Sequence, residues 1–371
     1  MFRSRNKQKQ SFSGKLIGAL FGLGMFAGAF FLLWNNEGRI NFGDIAQDSI
    51  TINALESNNA ISSELIALEG PLHSPDSLSD PVFIENTDYI QLNRQVEMYA
   101  WTEKEVNEDD ETYYEYSEEW TTSPDNSSTF VQSGYDNPAM GYENLTFTVP
   151  TAFIGNYEID PNQIEFPDPQ SLNLNQEPIN NEVLRVNFVS LTNEYIYFGE
   201  SNLDSPDIGD LRISFTAVPQ NNFTTTFGEI KQDQLLPYVF EGDESLFRVF
   251  FVDRENAILQ MDDEYSAALW GIRFAGFTLL WCGMFLLLNP ITIIVAILPA
   301  LEKAGVWLLI AITFPIAAVI SILFVLVSYL AHNPLVLIGF ICLSIFAIVA
   351  VALVLYLIDK RRDQEIPTES E

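Results

Sequence analysis

Four long apolar runs punctuate this chain, one near its start and three towards its end: Leu16–Trp34, Ala267–Leu288, Gly305–Ala331 and Leu335–Ile358. Each can cross a hydrocarbon core of about 30 Å at about 1.5 Å per residue. The only charge inside them is Arg273. The pattern predicts an integral membrane protein with four transmembrane α-helices, one N-terminal and three C-terminal. Asn289–Leu301 is apolar but short, carries Pro290 and Pro299, and is followed by Glu302 and Lys303. Residues 289–304 are therefore expected as a cytoplasmic interfacial or re-entrant segment. Only His332-Asn333-Pro334 joins the last two runs, which predicts an antiparallel helical hairpin.

Between the first and second runs the period changes from helix to strand. Leu65–Leu68, Gln95–Thr102, Tyr113–Thr121, Leu184–Ser190, Tyr195–Phe198, Leu211–Val218 and Phe247–Val252 are short and rich in aromatic and β-branched residues. Val96, Met98 and Ala100 alternate with Glu97, Tyr99 and Trp101, as expected for a strand with one face on a core. The acidic stretch Glu103–Glu111 is expected at the tip of a hairpin to Tyr113–Thr121. Thr122–Pro150 and Asp160–Pro178 read as long loops. A strand, a glycine, Ser-Pro-Asp, Asp and a second strand recur around Ser74 and Ser205. This is either a duplicated β-unit or ordinary turn chemistry. Asp253–Tyr265 is helix-forming and runs straight into the second apolar run, a continuity that would couple the domain rigidly to the membrane. Residues 35–264 are thus expected as a large β-rich (α+β) extracytoplasmic domain.

Charge orients this layout. Residues 35–264 hold 44 of the 50 acidic residues but 8 of the 18 basic ones, a net charge of −36; the rest of the chain carries +4. Arg3, Arg5, Lys7, Lys9 and Lys15 precede the first run, and Lys360, Arg361 and Arg362 follow the last. Basic flanks stay cytoplasmic, so residues 1–15 and 359–371 are expected inside and 35–264 outside. Ala27-Gly28-Ala29 resembles a signal-peptide cleavage site, but the apolar run continues to Trp34, which favours an uncleaved anchor. An acidic domain repels nucleic acid and anionic headgroups. Both cysteines, Cys282 and Cys342, lie inside expected spans, so the domain is stabilised by packing alone.

Candidate chemistry is sparse. The two histidines, His73 in an expected turn and His332 in the hairpin link, have no metal-ligand spacing around them. There is no EF-hand loop, phosphate loop or nucleophile elbow, and no cofactor is expected. Glu97 and Arg212 are charges within strand-like segments, read as a structural salt bridge or a solvated strand face, with a ligand site as the alternative. Arg273 lies about two turns inside its span; it either snorkels outward, pairs inside the bundle or gates an ion path. Gly14, Gly18 and Gly22, with Gly24 and Gly28, form two small-residue ladders at four-residue spacing, a face for close helix packing. Asn126, Asn144 and Asn222 begin glycosylation sequons, relevant only in a eukaryotic source.

Several short motifs, in order, resemble the LUMA family, also called transmembrane protein 43. They are Asn36-Glu37-Gly38-Arg39, Leu78-Ser79-Asp80-Pro81, Arg94 with Val96-Glu97-Met98-Tyr99 and Trp101, and Glu119-Trp120. Asn137-Pro138, Gly209-Asp210-Leu211-Arg212, Asp233-Gln234-Leu235 and Trp270-Gly271 with Arg273 continue them. Arg39 and Glu37 are expected to set the exit of the first span at the headgroups. The resemblance implies a four-span protein whose lumenal or extracytoplasmic domain self-associates and organises membrane protein complexes, without catalytic residues. In animal members it implies residence in the endoplasmic reticulum and inner nuclear membrane, with emerin and lamins as partners. The short N-terminal tail and the acidity depart from those members and point to a bacterial one.

The reading is a non-enzymatic membrane scaffold with membrane lipids, other membrane proteins and its own copies as partners, and no nucleic acid. The alternative is a channel or transporter component using the C-terminal bundle. Replacing Gly18 and Gly22 together with Ile is expected to shift the protein to smaller species in native detergent electrophoresis; unchanged oligomer size would remove the glycine face from assembly.

Overall fold

The computed structural model describes residues 2–56, 64–108, 111–240, 242–290, 305–339, 341–342 and 346. Helix α1 (Phe2–Glu37) is followed by the short helix α2 (Phe42–Gln47) and strands β1 (Ile50–Asn53), β2 (Ile66–His73), β3 (Leu78–Asp80) and β4 (Ile84–Thr87). Next come β5 (Tyr89–Glu108), β6 (Glu111–Thr121), β7 (Leu145–Thr148), β8 (Ala152–Ile154), β9 (Tyr157–Ile159) and β10 (Gln170–Ser171). Helix α3 (Asn181–Leu184) precedes β11 (Val189–Leu191), β12 (Ile196–Phe198), β13 (Leu211–Pro219) and β14 (Asn221–Lys231). The chain ends its strands with β15 (Gln234–Leu236), β16 (Tyr238–Val239), β17 (Ser245–Leu246) and β18 (Arg248–Phe250), then forms α4 (Arg254–Leu288) and α5 (Gly305–His332). Two compact units result, Phe42–Met261 and the pair of segments Met1–Asn41 with Asp262–Glu371.

In the first unit one sheet runs β1-β2-β8-β9-β15-β14-β18, and β2 also pairs with β14, so five of its strands close into a ring. Closure leaves those strands no free edge. A second, open sheet runs β11-β12-β13-β5-β6. Pro219-Gln220 carries the chain from β13 in the open sheet to β14 in the closed one. Both sheets contribute to one core, with Ile66, Leu68 and Leu72 from one and Leu92, Val96, Ile213 and Phe215 from the other. A second cluster packs Ala46 of α2 and Ala257, Ile258 and Met261 of α4 against Ala67, Phe227 and Phe250. Arg254 helps hold that layer, donating to the α2 carbonyls of Ala46 and Gln47 at 3.2 and 2.6 Å, where a cation meets the negative end of the helix. Asp253 caps α4 by accepting from the Asn256 N–H at 3.0 Å, and this bond lowers its carboxyl pKa.

β5 explains the core most directly. Ile90, Leu92, Val96, Met98 and Ala100 are buried at two-residue spacing, and Arg94 occupies the same face. Its guanidinium donates to Asp80 at 2.8 Å, with the side chains 5% and 0% exposed, and to the Glu143 carbonyl at 3.0 Å. Phe83 and Phe147 flank it at 5.2 and 5.8 Å. The other Asp80 oxygen accepts from the Val82 and Phe83 N–H groups, the turn that Pro81 begins.

The strands depart from expectation in several places, and β7 and β10 fall within the stretches expected as long loops. Glu103–Glu108 continue β5 instead of forming a hairpin tip, because their alternating side chains need no core and Lys104 sits opposite Glu115. Leu184 ends α3, and the strand expected from it starts only at Val189. β14 was hidden by its composition. Thr224, Thr225 and Thr226 are fully buried, and two of their hydroxyls donate to the carbonyls of Gly70 and Val252 at 2.9 and 2.7 Å, which offsets their desolvation. His73 lies in β2 and stacks on Phe153, not in a turn. The two Ser-Pro-Asp stretches enter different sheets.

In the other unit α1, α4 and α5 are long and apolar enough to cross a membrane, three among the described residues where four were expected. Only Leu335–Gly339, Ile341, Cys342 and Phe346 of the fourth expected run are described, too little for a span. Residues 291–304 and the C-terminal basic cluster lie outside the described residues. α1 packs on α4 where Gly22 meets Gly283: a Cβ on Gly22 would lie 2.7 Å from the Gly283 carbonyl oxygen. α1 meets α5 through Phe30 and Phe324 at 4.6 Å, and α4 meets α5 through Trp281, whose indole donates to Thr313 at 3.2 Å.

Arg94→Met should cost about 3–5 kcal/mol, because it strands the Asp80 carboxylate in the core. Chemical denaturation of the full chain followed by near-ultraviolet dichroism measures this; a cost below about 1 kcal/mol would mean that water reaches Asp80.

Candidate interaction face and membrane-span ion pair

Motif residues scattered along the sequence converge on the open face of the β11-β12-β13-β5-β6 sheet. Antiparallel register sets Glu97 of β5 opposite Arg212 of β13, and Tyr197 of β12 opposite the same arginine. On the other flank Tyr99 faces Trp120 of β6. Directly opposed residues share a face, so these side chains meet. Arg212 makes a two-point contact with Glu97, at 2.7 and 3.1 Å. Its guanidinium carbon lies 4.6 Å from the Trp120 ring and 5.0 Å from that of Tyr195. The pair is 23% and 15% exposed, so it is half-buried and partly screened. Tyr99 packs on Trp120 at 5.4 Å and donates to Glu118 at 3.2 Å.

Loops extend the face. Asn137 imitates a neighbouring strand: its side-chain oxygen accepts from the Trp101 N–H and its amide donates to the Trp101 carbonyl, at 2.8 and 2.9 Å. Tyr135 stacks on Tyr116 at 3.9 Å and meets Trp101 edge-on at 4.8 Å. Gly209 donates to the Tyr99 carbonyl, and Tyr99 donates to that of Asp210, both at 2.9 Å. Gly209 needs its missing side chain, since φ is +97° and a Cβ would lie 2.7 Å from Pro138. Asp210 is buried and accepts from the Tyr197 and Ser201 hydroxyls and from the Asp207 N–H. Burial, with the Asp210 carboxylate beside it, pushes the Tyr197 phenol up to about 12. Tyr197 therefore stays a proton donor to Asp210 across the neutral range.

Two further groups of motif residues lie elsewhere. Asp80, Pro81 and Arg94 form the buried pair in the core. Asn36, Glu37, Gly38 and Arg39 close α1. Arg273 does not reach outward alone: its guanidinium grips the Glu37 carboxylate at 2.8 and 2.6 Å, joining α4 to the end of α1. Glu37 is 1% exposed there and Arg273 19%. Asn36 donates to the Leu269 carbonyl at 3.0 Å, Gly38 lies against His332, and Arg39 is exposed. The glycine ladders divide. Gly22 is packed against α4 and Gly28 touches Leu279, whereas Gly14, Gly18 and Gly24 have nothing within 4 Å. Sequence reasoning missed Gly283, Tyr135, Tyr195 and Tyr197, since none belongs to a spaced pattern with its partners. Among the described residues no group of three or more His, Cys, Asp or Glu is placed to hold a metal ion.

Long apolar helices joined to a β-rich extracytoplasmic domain define an integral membrane protein. Residues 98–334 match the family Transmembrane protein 43, and the chain belongs to that family. It is 28% identical to Transmembrane protein 43 of Homo sapiens over 351 residues, covering 86% of this chain and 85% of the human one. The Mus musculus protein is 28% identical over 368 residues, 90% and 88% of the two chains. The Drosophila melanogaster homolog is 27% identical over 300 residues, 72% and 75%. No solved structure matches the chain. These relatives are animal proteins and lend the expected bacterial source no support.

Glu37→Gln should lower the stability of the helical unit by about 3 kcal/mol by leaving a guanidinium unpaired in a span. The exchanged pair Glu37→Arg with Arg273→Glu should recover most of it. Heat-induced exposure of Cys282 to a maleimide dye in detergent reads both. If Glu37→Gln unfolds no earlier than the native chain, the pair does not hold the helices together.

Proposed function

We propose that this protein is a membrane scaffold that self-associates and organises membrane protein complexes through its extracytoplasmic domain. The convergence of Glu97, Tyr99, Trp101, Trp120 and Arg212 on one half-exposed sheet face carries the reading. That face has the aromatic and arginine composition of interaction surfaces, and none of its groups is poised for chemistry. In this reading both termini are cytoplasmic, residues 35–264 are exported, and spans 16–34, 267–288, 305–331 and 335–358 anchor them, with 289–304 at the cytoplasmic face. Membrane lipids, further copies and other membrane proteins are the partners, and nucleic acid is not. Residence in the endoplasmic reticulum and inner nuclear membrane accompanies a eukaryotic source, and the plasma or inner membrane a bacterial one. The Arg273 charge is matched by Glu37, which favours a role in packing over one on an ion path.

The exported domain has no cysteine, so a single introduced thiol reports on the face. In a chain with Cys282→Ala and Cys342→Ala, Gln95→Cys on the open face should give cross-linked dimers in native membranes, and Glu158→Cys on the closed sheet should not. Equal cross-linking at both positions, or none at Gln95→Cys, would remove this face from self-association. Gly18→Ile, at a position with open space around it, then tests whether α1 adds to the assembly without disturbing its packing on α4.

A further inference from the structure

The two sheets treat their edges differently. The closed sheet pairs β2, β8, β9, β15 and β14 in a ring, while the open sheet stops at β6. β6 is eleven residues long and contains no proline. Its pairing with β5 runs without a bulge from Met98↔Thr121 to Glu108↔Glu111. Natural edge strands are usually short, bulged, broken by proline or lined with charge; β6 has only the last of these, in its glutamates. The other margin of the same hairpin is covered where it leaves the sheet. Beyond Met98, where the pairing with β13 stops, Asn137 takes both backbone groups of Trp101, and the Glu103 side-chain carboxylate accepts from the Val131 N–H at 2.6 Å. Among the described residues no backbone hydrogen bond joins β6 to any element but β5. The outer row of peptide groups on β6 is thus a long, regular template for another strand.

The side chains along that template select its occupant. Glu115 and Glu119 project from one face and Glu118 from the other, all exposed, with Tyr113 40% exposed beside them. A second copy of β6 would set carboxylate against carboxylate, which destabilises cross-strand pairing. A strand with basic side chains on both faces meets complementary charge at alternate positions and gains its main-chain bonds as well. We propose that the β6 edge accepts, as an added strand, an extended basic segment of a partner protein. This goes beyond self-association and uses the edge of the sheet instead of its face.

The test uses the full chain in detergent and, as probe, the fluorescent heptapeptide Lys-Lys-Val-Val-Lys-Lys-Val, whose lysines fall on both faces of an extended strand, with the glutamate-for-lysine peptide as control. Fluorescence anisotropy should show saturable, salt-sensitive binding of the basic peptide only. Glu115→Lys combined with Glu119→Lys should weaken it about tenfold or more. Hydrogen exchange should slow within residues 111–121 when the peptide is bound. Binding that survives the double substitution, absence of binding, or protection only outside β6 would each overturn the proposal. Protection of 111–121 that rises with protein concentration in the absence of peptide would make a second copy the occupant and overturn it too. Cross-linking at Gln95→Cys should persist in the double variant, so failure here is distinguishable from failure of the scaffold reading.

Discussion

The antiparallel register between β5 and β13 is the constraint on which the exported domain depends. It pairs Leu211 with Met98, Ile213 with Val96 and Ala217 with Leu92, and so turns one row of each strand into the shared core. Because side chains alternate, a slip of one residue would expose that row and bury Glu97. The same register carries Arg94 inward to Asp80 and sets Arg212 across from Glu97 on the outer side. One backbone pairing therefore orients both a buried ion pair and the aromatic face, the latter joining Glu97 to Arg212, 115 positions away.

Scarce cations are used where they compensate a specific cost. In a chain with a net charge of −32, Arg94, Arg212 and Arg273 each grip one carboxylate with the guanidinium also against an aromatic ring. Arginine suits these places, since its planar fork makes two-point contacts and stays charged when partly desolvated. What remains on the surface is acidic. That leaves nucleic acid and anionic headgroups repelled, and gives an open strand edge a preference for a basic partner.

The helical unit solves a different problem. Lipid offers no hydrophobic drive for helices to associate, so contact rests on close approach and polar clamps. Gly22 against Gly283 provides the approach, Trp281 with Thr313 a hydrogen bond, and Glu37 with Arg273 an ion pair. Gly14 and Gly18 of the same ladder, and Gly24 of the other, meet no neighbouring helix among the described residues. Spacing alone could not separate these two groups, because it is a property of one helix and packing is a property of two.

Much of the fold was legible locally. Apolar runs marked the three spans described, alternation marked β5, aromatic and β-branched content marked β13, and short motifs marked the family, because each of these signals lies within a few neighbouring residues. β14 was not legible, since three successive threonines look polar, and only the fold buries them and gives the Thr224 and Thr225 hydroxyls backbone carbonyls. Nor was the extension of β5 through Glu103–Glu108, where pairing with β6 outweighs the absence of a core beneath. The sequence by itself determined that this is a membrane protein with an acidic, cysteine-free domain. Only the tertiary structure decided that Glu97 belongs to Arg212, Arg94 to Asp80 and Arg273 to Glu37, and that β6 has β5 on one side and no strand on the other among the described residues. Those outcomes depend on pairings across long stretches of chain, and no local pattern encodes which distant strand or helix will arrive.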